Sequence, residues 1–113
     1  MAITVKDICA KTGATVLCGN TDREFSGVYV GDFLSRAMSR VEADSVWVTI
    51  MANPNVIAVA TLTDPAAILL AEGVTLVDEA LEAAKKNDIT VISSPLSAYE
   101  LCLILGEMSE KRV

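Results

Sequence analysis

Gly27-Val28-Tyr29-Val30-Gly31-Asp32-Phe33-Leu34-Ser35 decides the fold. Val28 to Val30 is a short run of β-branched and aromatic side chains with a glycine on each side, and it reads as a strand. Gly31 and Asp32 then open a helix predicted over Phe33 to Val41, with Asp32 as its N-cap. Phe33, Ala37 and Val41, with Leu34 and Met38 on the adjoining strip, make its apolar face, opposite Arg36 and Arg40. A glycine between a strand and a helix N-terminus leaves backbone N–H groups free where a bound anion gains most from them.

Just upstream, Asp22-Arg23 lies on a polar loop, Thr21 to Ser26. The pair has three readings. It is a surface turn with a local ion pair, which contributes little in water. Alternatively Arg23 reaches a partner subunit or a ligand anion through its planar fork. In the third reading the charges fix the loop against the body of the fold.

Working outward, the strand-to-helix alternation continues in both directions. Thr4 caps a predicted helix over Val5 to Lys11, with Asp7 at the capping-box position and Gly13 as the left-handed terminator. Ala14 to Cys18 follows as a strand closed by Gly19-Asn20. After Asp44-Ser45, the apolar run Val46 to Met51 is typical of an interior strand. Asn53-Pro54 is a helix start, an amide N-cap with proline in the first turn. The helix over Asn55 to Leu62 is apolar almost all round, so it belongs in the interior or at an interface. Asp64-Pro65 ends it before a buried strand, Ala66 to Leu70.

Thr75 is the predicted cap of a helix over Leu76 to Lys86, with Asp78 and Glu79 at the positive end and Lys85-Lys86 at the negative end. Ile89 to Ile92 is the last strand. Ser93-Ser94-Pro95 leads to a final helix capped by Ser97 with Glu100 and apolar at Leu101, Ile104, Leu105 and Met108, before a frayed tail, Glu110 to Val113. Strands alternating with helices predict a single α/β domain over residues 1–113, with a largely parallel sheet covered by helices on both faces.

Composition narrows the function. The 113 residues suit one domain, and 52% of them are apolar while 4% are aromatic, so Val, Ile, Leu and Ala must build the core. That much apolar content in a small domain points to a partner surface, with a homodimer as the commonest arrangement. A net charge of −6 with scattered basic residues argues against nucleic acid. No apolar run reaches the roughly 18–20 residues of a membrane span, and Met1 to Asp7 lacks the basic start and hydrophobic stretch of a signal peptide. Cys9, Cys18 and Cys102 fit neither a zinc site nor a CxxC pair and read as reduced thiols of a cytoplasmic protein.

In an open parallel sheet, ligands gather beyond the carboxyl ends of the strands. The loops there are Gly31-Asp32, Ala52-Asn53-Pro54-Asn55 and Ser93-Ser94-Pro95, with Ala71-Glu72-Gly73 a weaker fourth. Asp32, Asn53 and Ser94 or Ser97 are either plain helix caps or the polar rim of one small-ligand site. Catalysis is poorly supplied. The chain has no histidine, and no phosphate loop, nucleophile elbow or HExxH pattern occurs, so no catalytic residue, metal or cofactor is assigned.

With these motifs in order, the chain resembles a free-standing DRTGG domain over nearly its full length. The resemblance rests on Asp22-Arg23, on Gly27 to Asp32 leading into Phe33-Leu34-Ser35, and on Trp47-Val48-Thr49-Ile50. Asn53 to Ala60 and Ser94 to Glu100 follow in the right order. Such domains are similar to the N-terminal domain of HPr kinase/phosphorylase and also occur in phosphate acetyltransferases and CBS-domain pyrophosphatases. The resemblance implies an α/β domain that is regulatory or assembly-forming, not the catalytic part, and that forms dimers; the leading reading is a homodimeric regulatory domain that senses a small nucleotide or metabolite. The alternative is a pure docking module for a metabolic enzyme, using the helix Asn55 to Leu62 or the last helix. A ligand is expected near Asp22, Arg23, Gly31, Asp32, Asn53 and Ser94. One departure stands out: where the family has Thr-Gly-Gly, this chain has Ala71-Glu72-Gly73, which places a negative charge at the middle position and weakens any anion site there.

Overall fold

The computed structural model describes residues 3–109. The predicted tail, Glu110 to Val113, lies outside the described residues. Strands and helices alternate as α1 (Val5–Thr12), β1 (Thr15–Cys18), β2 (Val28–Val30), α2 (Leu34–Arg40), β3 (Val46–Thr49), α3 (Pro54–Thr63), β4 (Ala67–Leu70), α4 (Asp78–Lys86), β5 (Val91–Ser93) and α5 (Ala98–Met108). The strands form one sheet in the order β1-β5-β4-β3-β2. β2, β3, β4 and β5 run parallel, and β1 joins the edge of β5 antiparallel with a bulge between Val16 and Cys18.

The buried runs of β3, β4 and β5 follow from helices covering both faces. Alternate side chains serve opposite layers. Trp47, Ile68, Leu70 and Val91 pack with Val56, Ile57 and Ala60 of α3 and Ala80 and Ala84 of α4. Val46, Val48, Leu69 and Ile92 pack with Val5 and Ile8 of α1 and Leu101 and Leu105 of α5. Burying each of these large apolar side chains stabilises the fold by roughly 1.5–3 kcal/mol.

Several local expectations shift. Asp32 does not cap α2; Phe33 occupies the N-cap place and is 68% exposed, and Met38 is exposed too, leaving Ala37 and Val41 buried against the core. The reason is that the Asp32 carboxylate turns toward the end of β3 instead. Thr75 does not cap α4, because Leu76 is buried ahead of the helix and extended Val77 takes the N-cap position. Helix α3 is less enclosed than its composition suggests: Val56, Ile57, Val59 and Ala60 are buried, whereas Leu62 is 73% exposed. The Asn53 cap, the Asp64 terminator and the Ser97–Glu100 capping box form as expected.

Candidate functional site

The six residues expected around one ligand fall at opposite ends of the sheet. Asp22 and Arg23 stand at the amino ends of β3 and β4. Gly31, Asp32, Asn53 and Ser94 follow the carboxyl ends of β2, β3 and β5. One strand length separates the two groups, about 13 Å for four residues.

At the amino end, residues 21–25 lie antiparallel to the start of the chain. Val5 N–H donates to the Arg23 carbonyl at 3.0 Å, Lys6 N–H to Thr21 at 2.8 Å, and Phe25 N–H to Ile3 at 3.1 Å. This backbone frame presents the Arg23 side chain to the turns before β3 and β4. Its Nε and Nη2 donate to Asp44 Oδ1 at 3.0 and 2.7 Å, and its Nη1 donates to Asp64 Oδ1 at 3.1 Å. Nη2 also donates to the Asp64 carbonyl at 3.0 Å. Asp44 and Asp64 both have left-handed backbones, with φ of 65° and 58° at the turns that feed β3 and β4. Aspartate tolerates that conformation better than most residues. The hydrogen bond that Arg23 donates to Asp64 is the largest cause, and that to Asp44 adds to it, raising the Arg23 pKa above its ordinary value despite partial burial.

Arg23 is thus a clamp, and the third reading of the loop holds in altered form: the arginine fixes the loop through two distant aspartates. Asp22 is exposed and lines a cleft of about 350 Å³ with Arg23, Glu24, Phe25, Ser26 and Asp44. With Asp88 beside Arg23 in a second cleft of about 410 Å³, carboxylates surround the single guanidinium. An anionic ligand would have to displace them.

The carboxyl end is built differently. Gly31 donates its N–H to Val48 at 3.1 Å and accepts from the buried Trp47 indole at 3.0 Å. A Cβ at Gly31 would stand 2.9 Å from the Tyr29 hydroxyl, so a larger residue there would have to push the tip of that ring aside. The turn leaves Asp32 leaning across to β3, where Oδ1 accepts from the Thr49 hydroxyl at 2.7 Å and the Ile50 N–H at 3.0 Å. The second carboxylate oxygen, Oδ2, receives no donor among the described residues. Asn53 uses its side-chain oxygen on the N–H groups of Asn55 and Val56 at 3.0 and 3.3 Å. Exposed Phe33, Ile50 and Val77 surround this rim.

Ser94 does not join it. Its hydroxyl is fully buried, donating to the Thr12 carbonyl at 2.9 Å and accepting from Leu96 N–H at 3.1 Å. The Ala71-Glu72-Gly73 loop is likewise committed: Glu72 N–H donates to Leu96 and Gly73 N–H to Ser94, both at 2.8 Å. Its amides are therefore not presented to a phosphate. Glu72 nonetheless has φ 59°, and Gly73 φ 71°, so both positions require the backbone that glycine adopts most easily.

Sequence reasoning missed Thr49 as the partner of Asp32, and Asp44 and Asp64 as partners of Arg23. The turn signals at Asp44-Ser45 and Asp64-Pro65 place both acids at strand entrances, where a sheet-spanning arginine finds them. Burial raises the Cys9, Cys18 and Cys102 thiols above their ordinary pKa, which keeps them protonated and weakly nucleophilic near neutrality. Among the described residues, no group of three or more His, Cys, Asp or Glu is placed to hold a metal. No helix there is long and apolar enough to cross a membrane.

A mostly parallel α/β module, clamped at one end of its sheet and open at the other, is the class these features define. The DRTGG domain family matches residues 7–108, and the chain belongs to that family. Among solved structures it is similar to the CBS and DRTGG domains of the regulatory region of Clostridium perfringens pyrophosphatase, complexed with its activator diadenosine tetraphosphate. The likeness has a TM-score of 0.77 at 21% identity, covering 90% of this chain and 45% of that one, and it is a likeness of fold. No curated protein matches the chain in sequence.

Proposed function

We propose that this chain is a non-catalytic regulatory module of the cytoplasm that works as a homodimer and takes a small nucleotide or related metabolite. The observation that carries this reading is the carboxylate of Asp32, held at the carboxyl ends of β2 and β3 with Oδ2 left without a donor among the described residues. A carboxylate so placed in an α/β sheet suits a ligand hydroxyl or amino donor, in the way that an acid at this end of a nucleotide fold takes a ribose hydroxyl. Phe33 and Ile50, exposed beside it, offer apolar surface for a base. The ligand class is therefore a hydroxyl-bearing or amine-bearing molecule, and a bare phosphate fits the rim less well. The diadenosine tetraphosphate bound to the pyrophosphatase regulatory region supports the choice of nucleotides as first probes. Free thiols at Cys9, Cys18 and Cys102 are consistent with a reducing compartment.

The test is a thermal-shift series with AMP, diadenosine tetraphosphate, acetyl phosphate and a sugar phosphate. A ligand that binds the native state raises the unfolding midpoint with concentration. The expected outcome is a midpoint that climbs with a nucleoside-containing compound and stays flat with acetyl phosphate. A flat response to every compound up to millimolar concentration sinks the sensor reading.

A docking module without a ligand is the second reading. Helix α5 favours it, since Tyr99 and Leu103 are 72% and 54% exposed. A groove of about 560 Å³ beside them is lined by Lys11, Leu103, Ile104, Glu107 and Met108. That module gives no ligand shift at all.

A further inference from the structure

We infer that two copies of this chain join through the free edge of β2, as an antiparallel β2–β2′ pair whose two-fold axis passes beside Tyr29. The inference rests on the homodimer reading above and names the surface it uses.

The hydrogen-bond pattern of β2 carries the argument. Val46 N–H donates to the Gly27 carbonyl at 2.9 Å, and Gly31 N–H donates to Val48 at 3.1 Å. With the register Val28↔Val46, Tyr29↔Trp47 and Val30↔Val48, parallel geometry directs the Tyr29 N–H and C=O toward β3 as well. The N–H and C=O of Val28 and Val30 therefore point off the sheet, and they take no hydrogen bond among the described residues. These four groups are arranged symmetrically about Tyr29. In an antiparallel pair, residues that exchange both bonds alternate with residues that exchange none. Setting Val28 opposite Val30 of the partner, and Tyr29 opposite itself, satisfies all four groups on each chain. A second copy is the one occupant for which this match is automatic, because a two-fold interface is self-complementary.

The edge lacks the usual protection. Gly27 to Gly31 contains no charge, proline or bulge, three of the devices that keep strand edges apart, and only the shortness of β2, three residues, limits its pairing. The opposite edge differs, since β1 is bulged between Val16 and Cys18. On the face shared with α5, Val28 and Val30 are 38% and 45% exposed. They line a groove of about 380 Å³ with Gly27, Cys102, Leu105, Gly106 and Ser109. Pairing across the edge brings the partner's valines against these two and closes the groove.

Three variants and the native chain test this by sedimentation at tens of micromolar, with far-UV circular dichroism as a check on folding. The native chain is expected at twice its 12.0 kDa mass. Val30→Lys, which sets a charge against the pair without touching the β3 ladder, is expected to be a folded monomer. Val16→Lys, at the bulged edge, is expected to remain a dimer. Tyr29→Cys places two thiols in a pair whose Cα atoms lie about 4.5 Å apart, within disulfide reach. Mild oxidation should then give a covalent dimer that the native chain does not form. A dimer that survives Val30→Lys, with no cross-link from Tyr29→Cys, overturns the β2 edge while leaving the homodimer reading intact. A native chain that sediments as a monomer overturns both.

Discussion

The two ends of the sheet use the same residue type to opposite effect. At the amino end Asp44 and Asp64 are both occupied by Arg23, which reaches three acceptors on two loops and stitches Thr21 to Ser26 onto the body. At the carboxyl end Asp32 holds Thr49 and Ile50 with one oxygen and leaves the other open. Each of the three carboxylates accepts through one oxygen, but Asp44 and Asp64 are paired with a guanidinium, whereas Asp32 meets only neutral donors among the described residues. Arg23 of the Asp-Arg pair is therefore part of the scaffold, and the rim with the weaker sequence signal is the proposed place for recognition.

The difference can be broken most violently at the amino end. Gly19 has φ 97°, and a Cβ there would stand 2.4 Å from the Thr90 backbone. The same junction is bonded from Asn20 N–H to the Thr90 hydroxyl at 2.9 Å and from that hydroxyl to the Asn20 carbonyl at 3.1 Å. Gly19→Ala combines backbone strain with a clash that neither chain relieves, and is expected to cost about 3 kcal/mol or more in urea unfolding. A loss under about 1 kcal/mol contradicts the close approach.

Arg23→Ala comes next. It removes charge-assisted hydrogen bonds and leaves two half-exposed carboxylates facing each other. Because these are partly solvated, the expected loss is about 2 kcal/mol, diminishing at high salt as screening weakens the pair. Arg23→Lys recovers part of it, since an ammonium cannot bridge both acids with a planar fork. Neither variant is expected to change ligand affinity.

Asp32 sharpens the contrast from the other side. Asp32→Asn keeps an acceptor for Thr49 and Ile50, so stability should fall by about 0.5 kcal/mol or less, while the nucleotide-induced shift is lost. Asp32→Ala leaves the buried Thr49 hydroxyl without its acceptor and is expected to cost about 1–2 kcal/mol. Equal stability for the two variants argues against the hydrogen bonds assigned here.

The smallest effect is expected at Glu72. Glu72 holds a positive φ that glycine adopts most easily, so Glu72→Gly relieves strain but adds freedom to the unfolded chain. The net gain is expected to be about 0.5 kcal/mol, read from the urea midpoint.

The alternation of strands and helices was legible because short β-rich runs and capped apolar helices obey local rules. Asn53-Pro54, Asp64-Pro65 and Ser97 with Glu100 are decided within three or four residues of sequence. Asp32 and Thr75 look like the same kind of signal, yet tertiary contacts override them: Thr49 and Ile50 capture the Asp32 carboxylate, and burial of Leu76 delays α4. The candidate site was half legible. Placing Gly31, Asp32 and Asn53 at the carboxyl ends follows from the parallel sheet alone. Arg23's reach to Asp44 and Asp64, across 21 and 41 residues, follows only from how β2, β3 and β4 lie side by side. Nothing in the sequence around Ser94 signals that its hydroxyl turns inward to Thr12, 82 residues away.

Backbone amide chemical shifts, followed by NMR while AMP is added to the native chain, test the division between the two ends most directly. The expected result is movement at Gly31, Asp32, Ile50 and Asn53, with the amides of Thr21 to Ser26, Asp44 and Asp64 still. Movement confined to Arg23 and its two aspartates would place recognition at the clamp and contradict the account.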